Sequence, residues 1–158
     1  MIVDRIISFF ISDKERRMKE RENNKVYVSE IIYCPMRSFL GKQFPFIVLD
    51  EDVRNPSLLR GKFVHLGIQS FLAFLKKKGV LENIEEVYSE VGVEKTYPVG
   101  ERDIVLKGRI DAVLLDSNGT LYPVEIKSQK QYIAPNFHHA LQLLIYKTML
   151  ESGARTYI

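Results

Sequence analysis

The sequence predicts an α/β domain, a mixed β-sheet flanked by helices. Three observations carry that expectation. Residues 57–78 repeat apolar side chains at helical spacing, and residues 84–127 alternate like strands around a hairpin. Residues 135–151 then return to helical spacing before a last extended segment. This order, helix, three meandering strands, helix, strand, requires the final strand to join the sheet after a helical crossover. The chain has 158 residues, 46% apolar and 27% charged, enough for one core. It reads as a single domain over 1–158, with an N-terminal helical region at 1–56 and an α-β-β-β-α-β core at 57–158.

Composition narrows the class of protein. A net charge of +3 permits a polyanionic partner without requiring one. The single cysteine, Cys34, excludes an internal disulfide framework. The apolar run Ile6 to Ile11 follows Asp4 and Arg5 and is too short for a span or a signal peptide. An intracellular protein with no membrane partner is expected, and a homo-oligomer is compatible with this composition.

The elements follow in order. Ile2, Ile6, Phe9 and Phe10 give residues 1–22 an amphipathic helical pattern, and Lys14 to Glu22 mixes both signs of charge. Val26 to Val28 is extended. Ser29 is positioned to cap a short helix through Ile32, and Pro35 to start a further turn. Residues 44–56 form a loop with the acidic tip Asp50-Glu51-Asp52. The helix over Ser57 to Lys78 ends in Lys76-Lys77-Lys78-Gly79, suited to a helix C-terminus and a left-handed cap. His65 is in line with Leu58, Gly61, Ile68 and Leu72. Taken alone it reads as a core histidine, with Gly61 allowing close backbone approach one turn earlier. Residues 84–97 place Val87, Val91 and Val93 on one strand face and Tyr88, Glu90 and Glu94 on the other. Arg102-Asp103 turns into a strand over Ile104 to Leu115. The turn Ser117-Asn118-Gly119-Thr120 follows, because Asn and Gly both tolerate positive φ, and then a strand over Leu121 to Lys127. Pro135 opens a helix to about Glu151, Gly153 closes it, and Arg155 to Ile158 starts a last strand.

The candidate site grows from the hairpin. Strand period two points Glu125 and Lys127 to one side, and the turn folds Asp111 back beside them. Two carboxylates and an ammonium converge, which is the chemistry of a divalent-metal phosphodiesterase site. Mn²⁺ or Mg²⁺ would take Asp111 and Glu125 as anionic ligands, with the Ile126 carbonyl as a third. Lys127 would orient or deprotonate water, or stabilise the transition state by charge. The competing reading is a cross-strand salt pair. Against it, Asp111 lies on a strand apolar on both sides, with Val113 and Leu115 on its own face and Ile110, Ala112 and Leu114 opposite, where an unpaired carboxylate is costly. On the following helix, His138, Gln142 and Tyr146 share a face while Leu141, Leu144 and Ile145 suit the core. That polar face either reaches DNA or holds Lys127, or it is a half-exposed edge.

Gly61-x-x-x-His65, Gly108-Arg109-Ile110-Asp111, Glu125-x-Lys127 and Gln142-x-x-x-Tyr146, in this order, resemble the RecB-type branch of the PD-(D/E)xK nuclease superfamily over about residues 57–151. The resemblance implies a restriction-endonuclease-like mixed sheet flanked by helices and a deoxyribonuclease, an exonuclease or single-strand-preferring enzyme, with DNA as partner. It also implies His65, Asp111, Glu125 and the Ile126 carbonyl as Mn²⁺ or Mg²⁺ ligands. Lys127 would be catalytic, with Gln142 and Tyr146 assisting, and Glu90 falls near an acidic position of some members. The alternative is a catalytically silent nuclease-fold module that binds DNA or protein. Val28-Ser29-x-x-x-Tyr33-Cys34-Pro35-x-Arg37 resembles the first cysteine segment of the CRISPR-associated spacer-acquisition nucleases, which hold an iron–sulfur cluster. One thiolate cannot replace the usual four, so no cluster is expected and the chain reads as a clusterless relative, the alternative being that a C-terminal part is missing. Lys107, Arg109 and Lys130 are candidates for phosphate contact by position.

Overall fold

The computed structural model describes residues 25–34, 56–128 and 136–157, with Arg5, Ser8, Phe9, Ser12, Met36, Phe39, Leu40, Gln43 and Phe44. The expected helix over 1–22, the turn begun by Pro35 and the acidic loop over 44–56 lie largely or wholly outside these residues.

The spine of the sheet is a long antiparallel hairpin of β2 (Ile84–Val99) and β3 (Arg102–Asp116). Its alternating Val, Ile and Ala side chains bury Val91, Val93, Ile110, Ala112 and Val113. β1 (Lys25–Tyr27) runs parallel to β3 and pairs with Val105 to Lys107. β4 (Leu121–Val124) runs antiparallel to β3 and pairs with Ala112 to Leu115. A strand has two edges and β2 occupies one of them, so β1 and β4 share the other. The stretch Gly108–Asp111 between them has no strand partner on that edge among the described residues. β5 (Arg155–Tyr157) closes the far side antiparallel to β2. The sheet is mixed, as expected, but its parallel pair comes from β1 and not from the strand after the crossover helix.

Among the elements described in full, three helices cover the sheet: α1 (Val28–Ile32), α2 (Pro56–Lys77) and α3 (Phe137–Glu151). The core joins Val28 and Ile32 of α1 to Val91, Val93, Ile110 and Val113 of the sheet and to Tyr146 and Met149 of α3. α1 starts one residue before the expected cap. Its first turn is held by Glu30, whose carboxylate accepts from the Tyr27 N–H at 3.1 Å, so Ser29 lies inside the helix. α2 ends on Gly79 at φ 73°, as the lysine run predicted. It turns only a narrow face to the sheet, where Gln69 is buried and His65 half-buried. Phe63, Leu66, Phe71 and Phe74 are exposed, so the apolar stripe is broader than the buried one. No helix among the described residues is long and apolar enough to cross a membrane.

Two details of the hairpin differ from expectation. Only Gly119 has positive φ, at 80°, and Asn118 does not. Gly119 N–H donates to the Asp116 carbonyl, while Asp116 Oδ1 accepts from the backbone of Asn118 at 2.9 Å and Thr120 at 2.8 Å. The turn therefore rests on an aspartate side chain and one left-handed glycine. These donors, that of Thr120 foremost, hold the Asp116 carboxyl below its ordinary range against its desolvation. Tyr122 is exposed and donates its hydroxyl to Asp116 at 3.0 Å. β4 also ends at Val124, three residues earlier than predicted. Beyond it the Ile126 N–H goes to the Asp111 carboxylate and leaves the ladder.

Candidate active site

The uncovered stretch of β3 is where the predicted residues meet. Asp111 Oδ2 accepts from the Ile126 N–H at 2.8 Å and lies 3.4 Å from His65 Nδ1. Glu125 has a side chain only 5% exposed. Its Oε1 takes the Lys127 ammonium and a 2.9 Å bond from Gln142 Nε2. Its Oε2 is buried with no hydrogen-bond partner among the described residues. Tyr146 donates its hydroxyl to the Arg109 carbonyl at 3.1 Å, satisfying a backbone group that no strand reaches. Its ring fits because residue 108 is glycine: an added Cβ would meet the Tyr146 ring at 2.4 Å. Gly61, one turn before His65, brings the helix within 3.3 Å of Ser128 Oγ on the same measure.

The charges in this cluster are strongly interdependent. Burial pushes the Glu125 carboxyl up, and the nearby Asp111 charge adds to this, while Lys127 and Gln142 partly offset it. Lys127 is held above its ordinary value. Burial acts downward, and is outweighed by the Glu125 hydrogen bond and charge, with Tyr33 and Asp111 contributing. Lys127 therefore keeps its proton at neutral pH, which favours a role as a fixed cation over one as a free base. Tyr146 is pushed up chiefly by burial, so its hydroxyl stays a donor.

Gln69 and Tyr33 were missed as members of this cluster. Gln69 Nε2 donates to the Asp111 carbonyl at 2.7 Å and to Glu90 Oε1 at 3.1 Å. A polar residue one turn after His65, on the stripe facing the sheet, was the available signal. Tyr33 was noted only as part of a cysteine segment, yet its hydroxyl lies 3.4 Å from Gln142 Oε1. Glu90, opposite Asp111 where the ladder skips a pair, has φ 58° in mid-strand, and Arg109 Nε binds its other oxygen at 2.8 Å. A side chain in that region costs about 1–2 kcal/mol. Glu90→Gly is thus expected to be more stable than Glu90→Ala by about 1 kcal/mol in urea unfolding, since both lose the ion pair and only glycine relieves the backbone.

Other expectations are corrected. The polar face of α3 is not a half-exposed edge, because Gln142 and Tyr146 are buried while Leu144 is 59% exposed. Turning that face inward gives Glu125 Oε1 and the Arg109 carbonyl their partners. His138 stays outside the acid cluster, exposed and stacked on Tyr33. Cys34 is exposed. Lys107 and Arg109 are paired with Glu94 and Glu90, and Lys130 lies outside the described residues. Among the described residues, no three His, Cys, Asp or Glu side chains gather at metal-binding distance.

Residues 68–157 match the family described as the PD-(D/E)XK nuclease superfamily, and the chain belongs to that superfamily. It is a nuclease-family protein with the expected mixed-sheet fold. Over 97% of its length it is 30% identical to the CRISPR-associated exonuclease Cas4 of Saccharolobus solfataricus, covering 73% of that protein. The crystal structure of SSO0001 has the same fold, with a TM-score of 0.75 and 26% identity over 99% of this chain and 78% of that one.

Proposed function

We propose that the chain is a metal-dependent deoxyribonuclease that acts on DNA ends or single strands, with residues 57–158 as the catalytic core of a single domain. The buried, unpartnered Oε2 of Glu125 carries this reading. It stands in a cluster with Asp111 in which Lys127 is the counter-cation among the described residues, and such an orphan oxygen is costly unless a ligand completes it. The donor set fits a hard divalent cation: two carboxylates, the Ile126 carbonyl and one imidazole. Mn²⁺ or Mg²⁺ held by Asp111, Glu125, His65 and Ile126 would supply Lewis-acid charge to the phosphoryl group and lower the pKa of water.

The chain's own residues do the rest. Gln142 fixes Glu125 Oε1, which leaves Oε2 for the ligand. The Lys127 ammonium offsets negative charge as it develops on the phosphoryl oxygens and orients the attacking water. Tyr146 and Gln69 pin the backbone on either side of Ile110, so Asp111 is presented rigidly. The absence of a three-ligand side-chain cluster among the described residues supports the alternative, a silent nuclease-fold module that grips DNA or protein without cutting.

Digestion of end-labelled single- and double-stranded DNA with Mn²⁺ separates the two. Cleavage is expected in wild type, abolished by EDTA and by Asp111→Ala in a folded protein. Cleavage that survives Asp111→Ala would remove the site assignment. Binding without cleavage would establish the silent module.

A further inference from the structure

The outer side of α2 carries an apolar ridge that neither the sheet nor the acid cluster uses. Side chains three and four residues apart share one helix face. Arg60, Phe63, Gly67, Phe71, Phe74 and Lys78 follow that spacing, with Leu66 and Ser70 beside them. His65 and Gln69 occupy the opposite side, where His65 reaches Asp111 and Gln69 is buried. The ridge therefore points away from the acids, across a helix about 10 Å in diameter. Phe63, Leu66, Phe71 and Phe74 are each between 51% and 56% exposed. Four half-exposed side chains of this size leave about 400 Å² of contiguous apolar surface, enough to mark an interaction site.

Two features of the ridge specify what covers it. The first is a notch at its middle. An added Cβ on Gly67 meets nothing within 4 Å, and the exposed Ser70 follows one turn later. Phe63 and Leu66 stand on one side of this notch. On the other stand Phe71 and Phe74, stacked with ring centroids 6.4 Å apart. Small residues flanked by large ones make a hole for a side chain from a second helix. The second feature is charge. α2 contains no acidic residue. Arg60 at one end and Lys77 and Lys78 at the other are exposed and form no ion pair among the described residues. Lys78 lies 5.7 Å over the Phe74 ring, so charge and ridge are continuous. The cations bracket the ridge about 27 Å apart. A second copy packed antiparallel would set Arg60 against Lys77 and Lys78 at both ends, and a parallel copy would set each cation against itself. Both arrangements are repulsive. An anionic bilayer or a DNA strand would answer the charge but brings no shaped knob for the notch.

We infer that the outer face of α2 docks an acidic amphipathic helix of a partner protein. Its apolar side chains would sit on Phe63, Leu66, Phe71 and Phe74 with one knob in the Gly67 notch, and its carboxylates on Arg60, Lys77 and Lys78. An apolar centre of this size belongs to a partner that exchanges and not to a permanent complex. The face is separate from Asp111, Glu125 and Lys127, so its role holds whether or not the chain cuts DNA.

The probe is a helical peptide of about 20 residues, with leucines along its middle and glutamates in its first and last turns, followed by fluorescence anisotropy. Wild type is expected to bind it and to lose affinity as salt rises. A peptide with lysine at each glutamate position should bind at least about 10-fold less tightly. Phe74→Ser and Gly67→Leu should each weaken binding of the acidic peptide about 10-fold or more, the usual loss at a central contact. Leucine is a better helix former than glycine, so the loss in Gly67→Leu does not come from unfolding. Reversing the charges together, Arg60→Glu, Lys77→Glu and Lys78→Glu, should exchange the rank of the two peptides. Equal binding of both peptides by wild type, binding untouched by Gly67→Leu, or none at about 1 mM would overturn the inference. So would wild type that ignores the peptide but floats with phosphatidylglycerol vesicles, which gives the face to lipid. A wild-type dimer in sedimentation that Phe74→Ser dissolves would give the face to a second copy and overturn it equally.

Discussion

Lys127→Ala is expected to lower DNA cleavage roughly 10²- to 10³-fold, the usual loss when one preorganised transition-state cation or donor is removed. The structure adds a second consequence that does not depend on activity. Lys127 is the ammonium that offsets the buried Glu125 carboxylate, and without it the folded protein holds the Glu125 proton more tightly still. A carboxyl whose pKa is raised on folding favours the native state at low pH and loses that contribution as pH rises through its folded value. In EDTA the variant should therefore lose stability more steeply than wild type as pH rises above the ordinary carboxylate range, read from urea midpoints. Mn²⁺ should restore part of it if the acids bind the ion. Parallel pH profiles for the two proteins would mean that Lys127 is not the counter-charge.

Gly108→Ala should be as damaging, although it adds only a single methyl group. The new Cβ would lie 2.4 Å from Tyr146 Cε1 and 3.2 Å from Val28 Cγ2, so the ring must leave its seat. Overpacking of this kind costs about 1–3 kcal/mol. The displaced Tyr146 also releases the Arg109 carbonyl and the neighbourhood of Gln142, so cleavage should fall along with the melting temperature. Tyr146→Leu supplies the control. It should cost stability in wild type but cost less, or help, in the Gly108→Ala background, a coupling that a thermal double-mutant cycle measures. Additive losses would mean that the glycine serves something other than the tyrosine ring.

Much of this arrangement was legible from residue periodicity. The strand pair that brings Asp111 beside Glu125, the long helix ending in the lysine run, and the Gln142–Tyr146 spacing all emerge from it, with Glu125 just beyond the end of its strand. What escaped was set by contacts distant in sequence. Helical spacing put Gln142 and Tyr146 on one face, yet only packing against Glu125 and Arg109 decides that this polar face turns inward while Leu144 faces water. The early end of β4 depends on a carboxylate capturing the Ile126 N–H, which no local propensity encodes. Glu90 escaped for a similar reason, since a left-handed glutamate is unfavourable locally and is held there by Gln69 and Arg109.

The two glycine seats in the central hairpin also order events in time. Gly92 is covered by the Tyr157 ring and Gly108 by that of Tyr146, both supplied from far downstream. The β2–β3 hairpin is local and closes early, whereas these long-range contacts pay a larger loop-closure entropy and form late. During synthesis the hairpin leaves the ribosome with Asp111 and then Glu125 before Gln142 and the two tyrosine rings have emerged. Glu125 therefore gains its Gln142 partner only when α3 docks, so a half-made chain carries the acids without the contacts that hold them.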